Sequence, residues 1–469
     1  MTNEEFDSTS IPPAPIGAPP VASAPNAEAP APVAVAPAAK RARRPRLEAI
    51  DVARSLAIFG MFTAHLGAKN FESGGLSPSI LDVTMGRSAA LFMILAGVGT
   101  ALLARLDQHD YSRGLPRQPR LFPFFWIRAA YLWGISIVLI KTQFPVYVIL
   151  GIYACIFIAA PFFIHLFKPW VTFVVAAAAV GFGFHLTGLY NGGPDGAPGF
   201  DSGLPLMEVI KGQLVAGAYP FLVYVAYFLV GFGCVQLNLG RLRTRVGMVV
   251  GGGITLGAVL IGNEIAQRDN ARALIRFEKG DYTYNDTLHN LLDYNPHSHT
   301  LADIVGNIGF GVLVIGALLL IWNDGKGGWR RLFAPFVAAG RMPLTLYAGH
   351  IIIGDFISQD GDIVYNDSNL DLLAFILVAL AFAWAWSALL GRGPLEAIMR
   401  WISDWVRPKP TTTEATVASA PPVTDASWLD TRPDTGASPS LPAASDQPSE
   451  TGTSWPETRP TNGTDAAAI

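Results

Sequence analysis

Apolar residues in this chain gather into ten runs, near 48–66, 84–104, 121–140, 145–166, 170–189, 218–238, 245–264, 301–322, 336–357 and 369–390. Each approaches the roughly 20 residues that a helix needs to cross a bilayer. Between them the sequence turns polar, with glycine and proline marking turns, as in NGGPDGAPGFDSGLP after the fifth run. The pattern predicts an all-α fold, a polytopic integral membrane helix bundle of about ten transmembrane helices. Residues 391–406, RGPLEAIMRWISDWVR, add an amphipathic helix suited to a membrane surface, with Trp401 and Trp405 beside Arg400 and Arg407.

The ends read differently. Residues 1–45 form a Pro/Ala-rich tail with a basic cluster, Lys40, Arg41, Arg43 and Arg44, and residues 407–469 a Pro/Thr/Ser-rich tail. Neither has an apolar period, so both are predicted to be disordered around a membrane domain at 46–406. The basic cluster abuts the first run and holds that end in the cytoplasm. Arginine and lysine recur in every second connection, at Arg105 to Arg120, Lys168, Arg241 to Arg245, Lys326 to Arg331 and Arg392 onward. That bias predicts a multi-pass protein of the plasma (inner) membrane with both termini cytoplasmic. The long connection 265–300 breaks the trend and reads as a polar, aromatic lid over the outer face.

Composition narrows the partners. The 469 residues are 51% hydrophobic and 15% charged, with mean hydropathy +0.35, which points to the lipid bilayer. The net charge of −3 has no basic domain within it and predicts no nucleic-acid partner. Cys155 and Cys234 both lie in apolar runs and read as packing residues rather than a disulfide or metal framework. Pairing of two copies as a homodimer stays open.

Chemistry gathers on the first run. Asp51, Arg54 and His65 share one helical face, because eleven steps at 100° return Arg54 and His65 to within roughly 20°. The stripe rises roughly 21 Å from Asp51 to His65. Charge in hydrocarbon is costly, so this face is predicted to look into a shared, wet passage through the bundle. Three more imidazoles approach the outer half: His297 and His299 in PHSHT, and His350 in the ninth run. Imidazole is the usual general base near neutral pH. With no cysteine or carboxylate at ligand spacing, a zinc site is the weaker reading and no metal is expected. At the inner side, Arg341 in GRMPLT precedes Pro343, so the segment reads as a helix-entry loop whose free amides and guanidinium suit a phosphate. Arg54 and Arg341, with Arg87 and Arg128 as further guanidinium candidates, are expected to hold a phosphate-bearing cytosolic donor.

Several blocks carry a resemblance. Asp51-Val-Ala-Arg54, Gly60-Met61, His65 and Gly86-Arg87-Ser88-Ala89-Ala90-Leu91-Phe92 are similar to the start of the heparan-α-glucosaminide N-acetyltransferase catalytic domain. Pro296-His297-Ser298, Gly340-Arg341-Met342-Pro343-Leu344-Thr345-Leu346-Tyr347 and Gly393-Pro394-Leu395-Glu396 resemble the YeiB-type bacterial membrane proteins. The resemblance spans roughly residues 46–405 and places the chain in the transmembrane acyltransferase superfamily. It implies a membrane-bound acyltransferase that moves an acyl (acetyl) group from cytosolic acyl-CoA (acetyl-CoA) to a sugar or glycolipid acceptor at the outer face. The animal enzymes carry a histidine in the loop after the first span, and Leu66 to Asp82 here holds none. From the one-faced stripe and these blocks, His65 is the first choice of base, with His297, His299 or His350 as substitutes and Asp51 and Arg54 orienting the inner pocket. The competing reading is a transporter or flippase for a lipid-linked or small polar solute.

Overall fold

The computed structural model describes residues 47–67, 83–112, 121–142, 144, 146–164, 166, 168–189, 215, 217–278, 291–322, 329–357 and 369–406. Both tails lie outside the described residues, as do 279–290 of the expected lid. Among the described residues there are thirteen helices and no strands, as the apolar pattern predicts. In chain order they are α1 (Glu48–Leu66), α2 (Arg87–Ser112), α3 (Leu121–Ile140), α4 (Leu150–Phe163), α5 (Pro169–Leu189), α6 (Phe221–Gln236) and α7 (Leu242–Glu278). There follow α8 (Leu301–Ile321), α9 (Trp329–Leu332), α10 (Ala334–Arg341), α11 (Pro343–Ile357), α12 (Leu370–Leu389) and α13 (Pro394–Asp404).

All ten apolar runs are helical, but they are not ten equal spans. Seven helices among the described residues are long and apolar enough to cross a membrane: α1, α2, α3, α5, α7, α8 and α12. The ninth run is broken: α10 and α11 meet at 84°, the geometry of a broken span or a re-entrant loop. The runs behind α4 and α6 yield only 14 and 16 helical residues. Proline explains the break, since Pro343 has no N–H to continue α10 yet suits the first turn of α11. Gly340-Arg341 is thus the end of a helix rather than an entry loop. The seventh run also differs, for α7 continues through Glu278 and turns the first part of the expected 265–300 loop into helix.

The bundle is built around α6, whose residues Val223–Val235 are all buried. A helix apolar on every side has no face to give to solvent and ends in the core. It crosses α2 backbone to backbone: a methyl on Gly97 would lie 1.9 Å from the Phe228 carbonyl oxygen, and one on Gly231 1.9 Å from that of Ile94. Small residues allow such an approach, which suits helices that have no hydrophobic drive to associate within lipid. The periphery is apolar and exposed, as at Val174, Phe182, Ile254, Ile261, Phe356, Leu373 and Val378 on α5, α7, α11 and α12, and this is the surface that acyl chains cover. The first helix, α1, is lodged inside, against α2, α8, α10, α11 and α12.

Candidate functional site

The polar stripe of α1 ends in two clusters. At its start Asp51, 1% exposed, accepts a hydrogen bond from Arg54 Nη1 at 2.9 Å. Gly99 on α2 leaves the room that the Arg54 guanidinium fills, since a methyl there would stand 3.2 Å from Nη2. Arg341 reaches the same pair from α10, with Nε 3.7 Å from Asp51 Oδ2 and Nη2 3.9 Å from Glu48 Oε1. These are ion pairs too long to be hydrogen bonds, and Arg341 Nε is buried with no hydrogen-bond partner. The approach depends on Gly340, which lies flat on the Asp51 carbonyl. A cavity of about 230 Å³ opens beside this cluster, lined by Glu48, Arg341, Trp384 and Ser387 among others.

The amides that begin α11 are not free for a phosphate. Leu344 and Thr345 donate their backbone N–H groups to Glu396 Oε1 at 2.6 and 3.0 Å, and the Thr345 hydroxyl donates to Oε2. A carboxylate from α13 fills the anion site of that helix terminus. The other two expected donor-binding arginines are also engaged elsewhere. Arg87 is buried at the far end of the bundle, donating from Nε to the Tyr294 hydroxyl at 2.8 Å with its guanidinium 4.0 Å from that ring. Arg128 donates from Nε to Ser403 Oγ at 3.1 Å and lies 4.2 Å from the ring of Phe124, so it ties α3 to α13.

At the other end of α1 the imidazoles converge. His65 Nδ1 stands 3.0 Å from His350 Nε2, with the two rings 14° from parallel. His350, 1% exposed, is walled by Phe62 and Tyr347, whose ring centres lie 4.8 and 5.2 Å away. His65 opens into a cavity of about 220 Å³ lined also by Met61, Ser88, Phe144, Tyr147, Tyr219 and His297. His297 Nδ1 lies 3.2 Å from the Ala218 carbonyl and His299 Nε2 2.9 Å from that of Gly217. A carbonyl only accepts, so each of these nitrogens carries its proton, and His297 Nε2 is left as an acceptor. Burial pushes the His297 imidazole below its usual 6.5 and that of His299 to about 4. Both residues hold positive φ, 59° and 53°, a conformation few non-glycine residues take. His299 is steadied by Asp303, whose Oδ2 accepts its N–H at 3.1 Å and whose Oδ1 accepts from Asn307 at 2.9 Å.

The structure therefore pairs His65 with His350 and sets His297 on the same cavity, while His299 serves the loop. Among the described residues the two cavities, one near each end of the stripe, share no lining residue. No group of three or more metal-ligating side chains occurs among the described residues. Glu396, Gly99, Gly340 and Tyr294 escaped sequence reasoning. Gly340 and Glu396 each stood in a resemblance block, Gly340-Arg341-Met342-Pro343 and Gly393-Pro394-Leu395-Glu396, but nothing in one sequence joins Gly340 to Asp51 or Glu396 to Thr345.

Span count, exposed apolar periphery and buried polar stripe define a polytopic helical membrane protein. Residues 46–262 match the family described as heparan-alpha-glucosaminide N-acetyltransferase, catalytic, and residues 283–406 match a protein family of unknown function, DUF418. No curated protein matches the chain. Together the two matches support kinship with the YeiB-like and heparan-α-glucosaminide N-acetyltransferase-like membrane proteins. The imidazole pair spans the two matches, with His65 in the first and His350 in the second. Neither the structure nor the comparisons lend the homodimer support.

Proposed function

We propose that the chain is a membrane acyltransferase that moves an acetyl or related acyl group from acyl-CoA to a hydroxyl or amine of a sugar-type acceptor. The observation that carries the reading is the His65–His350 pair, with His65 opening on the 220 Å³ cavity, in a chain that matches an acetyltransferase-type domain. With His65 Nδ1–H donated to His350 Nε2, His65 Nε2 holds a lone pair for the acceptor proton. The acceptor oxygen or nitrogen attacks the thioester carbonyl as its proton passes to Nε2. The C–S bond breaks, and the CoA thiolate takes that proton from the imidazolium. Tyr147 and Tyr219 offer aromatic walls for a sugar ring.

Arg341 is the residue for the donor's phosphates, since it lines the other cavity, is 35% exposed and is held only by loose ion pairs. The donor has roughly 21 Å to span between the ends of the stripe, so its acyl arm enters between α1, α2 and α11 as these part. In this reading the Asp51 end faces the cytoplasm and the His65 end the outside, an orientation that the basic connections support. In purified protein given labelled acetyl-CoA and a sugar acceptor, wild type transfers label and His65→Ala does not. Equal transfer by both refutes the assignment.

One observation favours a second reading. Two cavities, one toward each end of one polar helix, also suit a transporter for a small polar solute. CoA decides between them, because an acyltransferase is stabilised against heat by CoA and a transporter of another solute is not.

A further inference from the structure

The C-terminal helix α13 is more than an appendage. Its N-terminus interlocks with that of α11. Glu396 caps the first turn of α11, and the Thr345 hydroxyl oxygen accepts the Leu395 N–H at 3.2 Å in return. Both helices begin with proline, Pro343 and Pro394. Gly393 makes the contact possible, since a methyl there would lie 2.6 Å from Met342 Cβ and 2.7 Å from the Thr345 hydroxyl. Two further ties run to α3: Arg128 to Ser403, and the Tyr131 hydroxyl to the Leu395 carbonyl at 3.1 Å. Burial raises the Glu396 carboxyl above its usual range, as expected for a carboxylate sealed between helices.

The side of α13 facing away from these ties is unusual. Leu395, Met399 and Val406 pack inward, but Ile398, Trp401 and Trp405, spaced three and four apart, form a second apolar stripe, exposed by 44%, 59% and 65%. The indoles stack edge to face at 4.7 Å. Polar groups flank the stripe in the Arg400–Asp404 pair at 3.3 Å. Leu389 and Leu390, at the end of α12 and just past it, are exposed as well. It lies at the end of the bundle where α11 starts and Arg341 meets Asp51, the depth at which spans leave the bilayer. Tryptophan with flanking charge is the side-chain set of the lipid headgroup zone.

We propose that α13 is a lipid-seated strut: its Ile398–Trp401–Trp405 stripe docks on the interfacial zone of the bilayer, and Glu396 hands that position to the α10–α11 break beside Arg341. Lipid packing then bears on where Arg341 stands, whatever reaction or transport the cavities serve. The test uses nitroxide labels in the full chain in phosphatidylcholine vesicles. Cys155 and Cys234 are replaced by alanine, and one label is attached through Trp401→Cys, Trp405→Cys or Asp404→Cys. At 401 and 405 the ratio of access to oxygen over access to an aqueous nickel reagent is expected to be several-fold higher than at 404. Equal or greater access to nickel at 401 and 405 overturns the proposal. So does a label shielded from both reagents, which means that a protein partner or second copy covers the stripe. In the same preparation Glu396→Ala is expected to increase label mobility at 401, while Glu396→Gln, which keeps an acceptor oxygen, holds it near that of the parent. Unchanged mobility in Glu396→Ala overturns the clamp.

Discussion

Replacing Gly340 with alanine drives a methyl group into the backbone of α1. The new carbon would stand 1.7 Å from the Asp51 carbonyl oxygen, whereas ordinary contact begins at 3.4 Å. The obstacle is main chain on both sides, so neither helix yields by a rotamer change and α10 must back away by about 1.7 Å. Overpacking of this kind costs about 1–3 kcal/mol, and rigid backbone places it toward the upper end. The same retreat lengthens the 3.7 Å approach of Arg341 Nε to Asp51, so the ion pair goes with the packing. Gly349→Ala is the matched control, because a methyl there meets nothing within 4 Å. By helix propensity alone that change is neutral or stabilising by up to ~1 kcal/mol. Thermal unfolding in detergent, followed by loss of monodisperse protein, is expected to show Gly340→Ala falling by several degrees and Gly349→Ala unchanged or higher. Coincident melting of the two variants would refute the close approach of α1 and α10.

Three other outcomes follow from the two ends of the stripe. His350→Leu is expected to slow acyl transfer by roughly 10²-fold or more, the scale of a lost proton-transfer partner, while His350→Gln, which can still accept from His65, retains the larger share in the same assay. His299 has a folded pKa of about 4 against 6.5 when exposed, so its stabilising effect is present above 6.5 and is lost as pH falls toward 4. The full difference is ~3 kcal/mol, read as a falling Tm across that window, and His299→Asn, which suits the positive φ, should flatten the fall. Saturating CoA at about a hundred times its Kd should stabilise wild type by ~2.7 kcal/mol, and Arg341→Ala should remove most of that rise.

The helices were legible because lipid imposes one rule on every span: its backbone must be satisfied within the helix and its sides must be apolar. Asp51, Arg54 and His65 were legible for the converse reason, since a charge on such a helix must find protein. What could not be read was pairing between distant segments. His350 meets His65 across 285 residues, and no local period links them. The expected anion site before α11 failed on the same ground. The amides are where proline and the helix start put them, but Glu396 arrives from fifty-one residues further on to fill them. Helical angle gives the face of a side chain, not the space in front of it, so the cavities at the two ends of the stripe lay beyond the sequence. Arg87 shows the same limit: its position at the start of a span was plain, and its partner Tyr294 was not.

The interlocked starts of α11 and α13 make α13 a structural requirement for a helix some fifty residues earlier. A chain ending just short of Pro394 would keep every apolar span, yet it would strand the Leu344 and Thr345 amides at the lipid boundary. Trimming for crystallisation or for a fusion partner therefore has a sharp limit: a cut past Val406 leaves both interlocked starts in place, whereas one before Pro394 unseats the turn that carries Arg341.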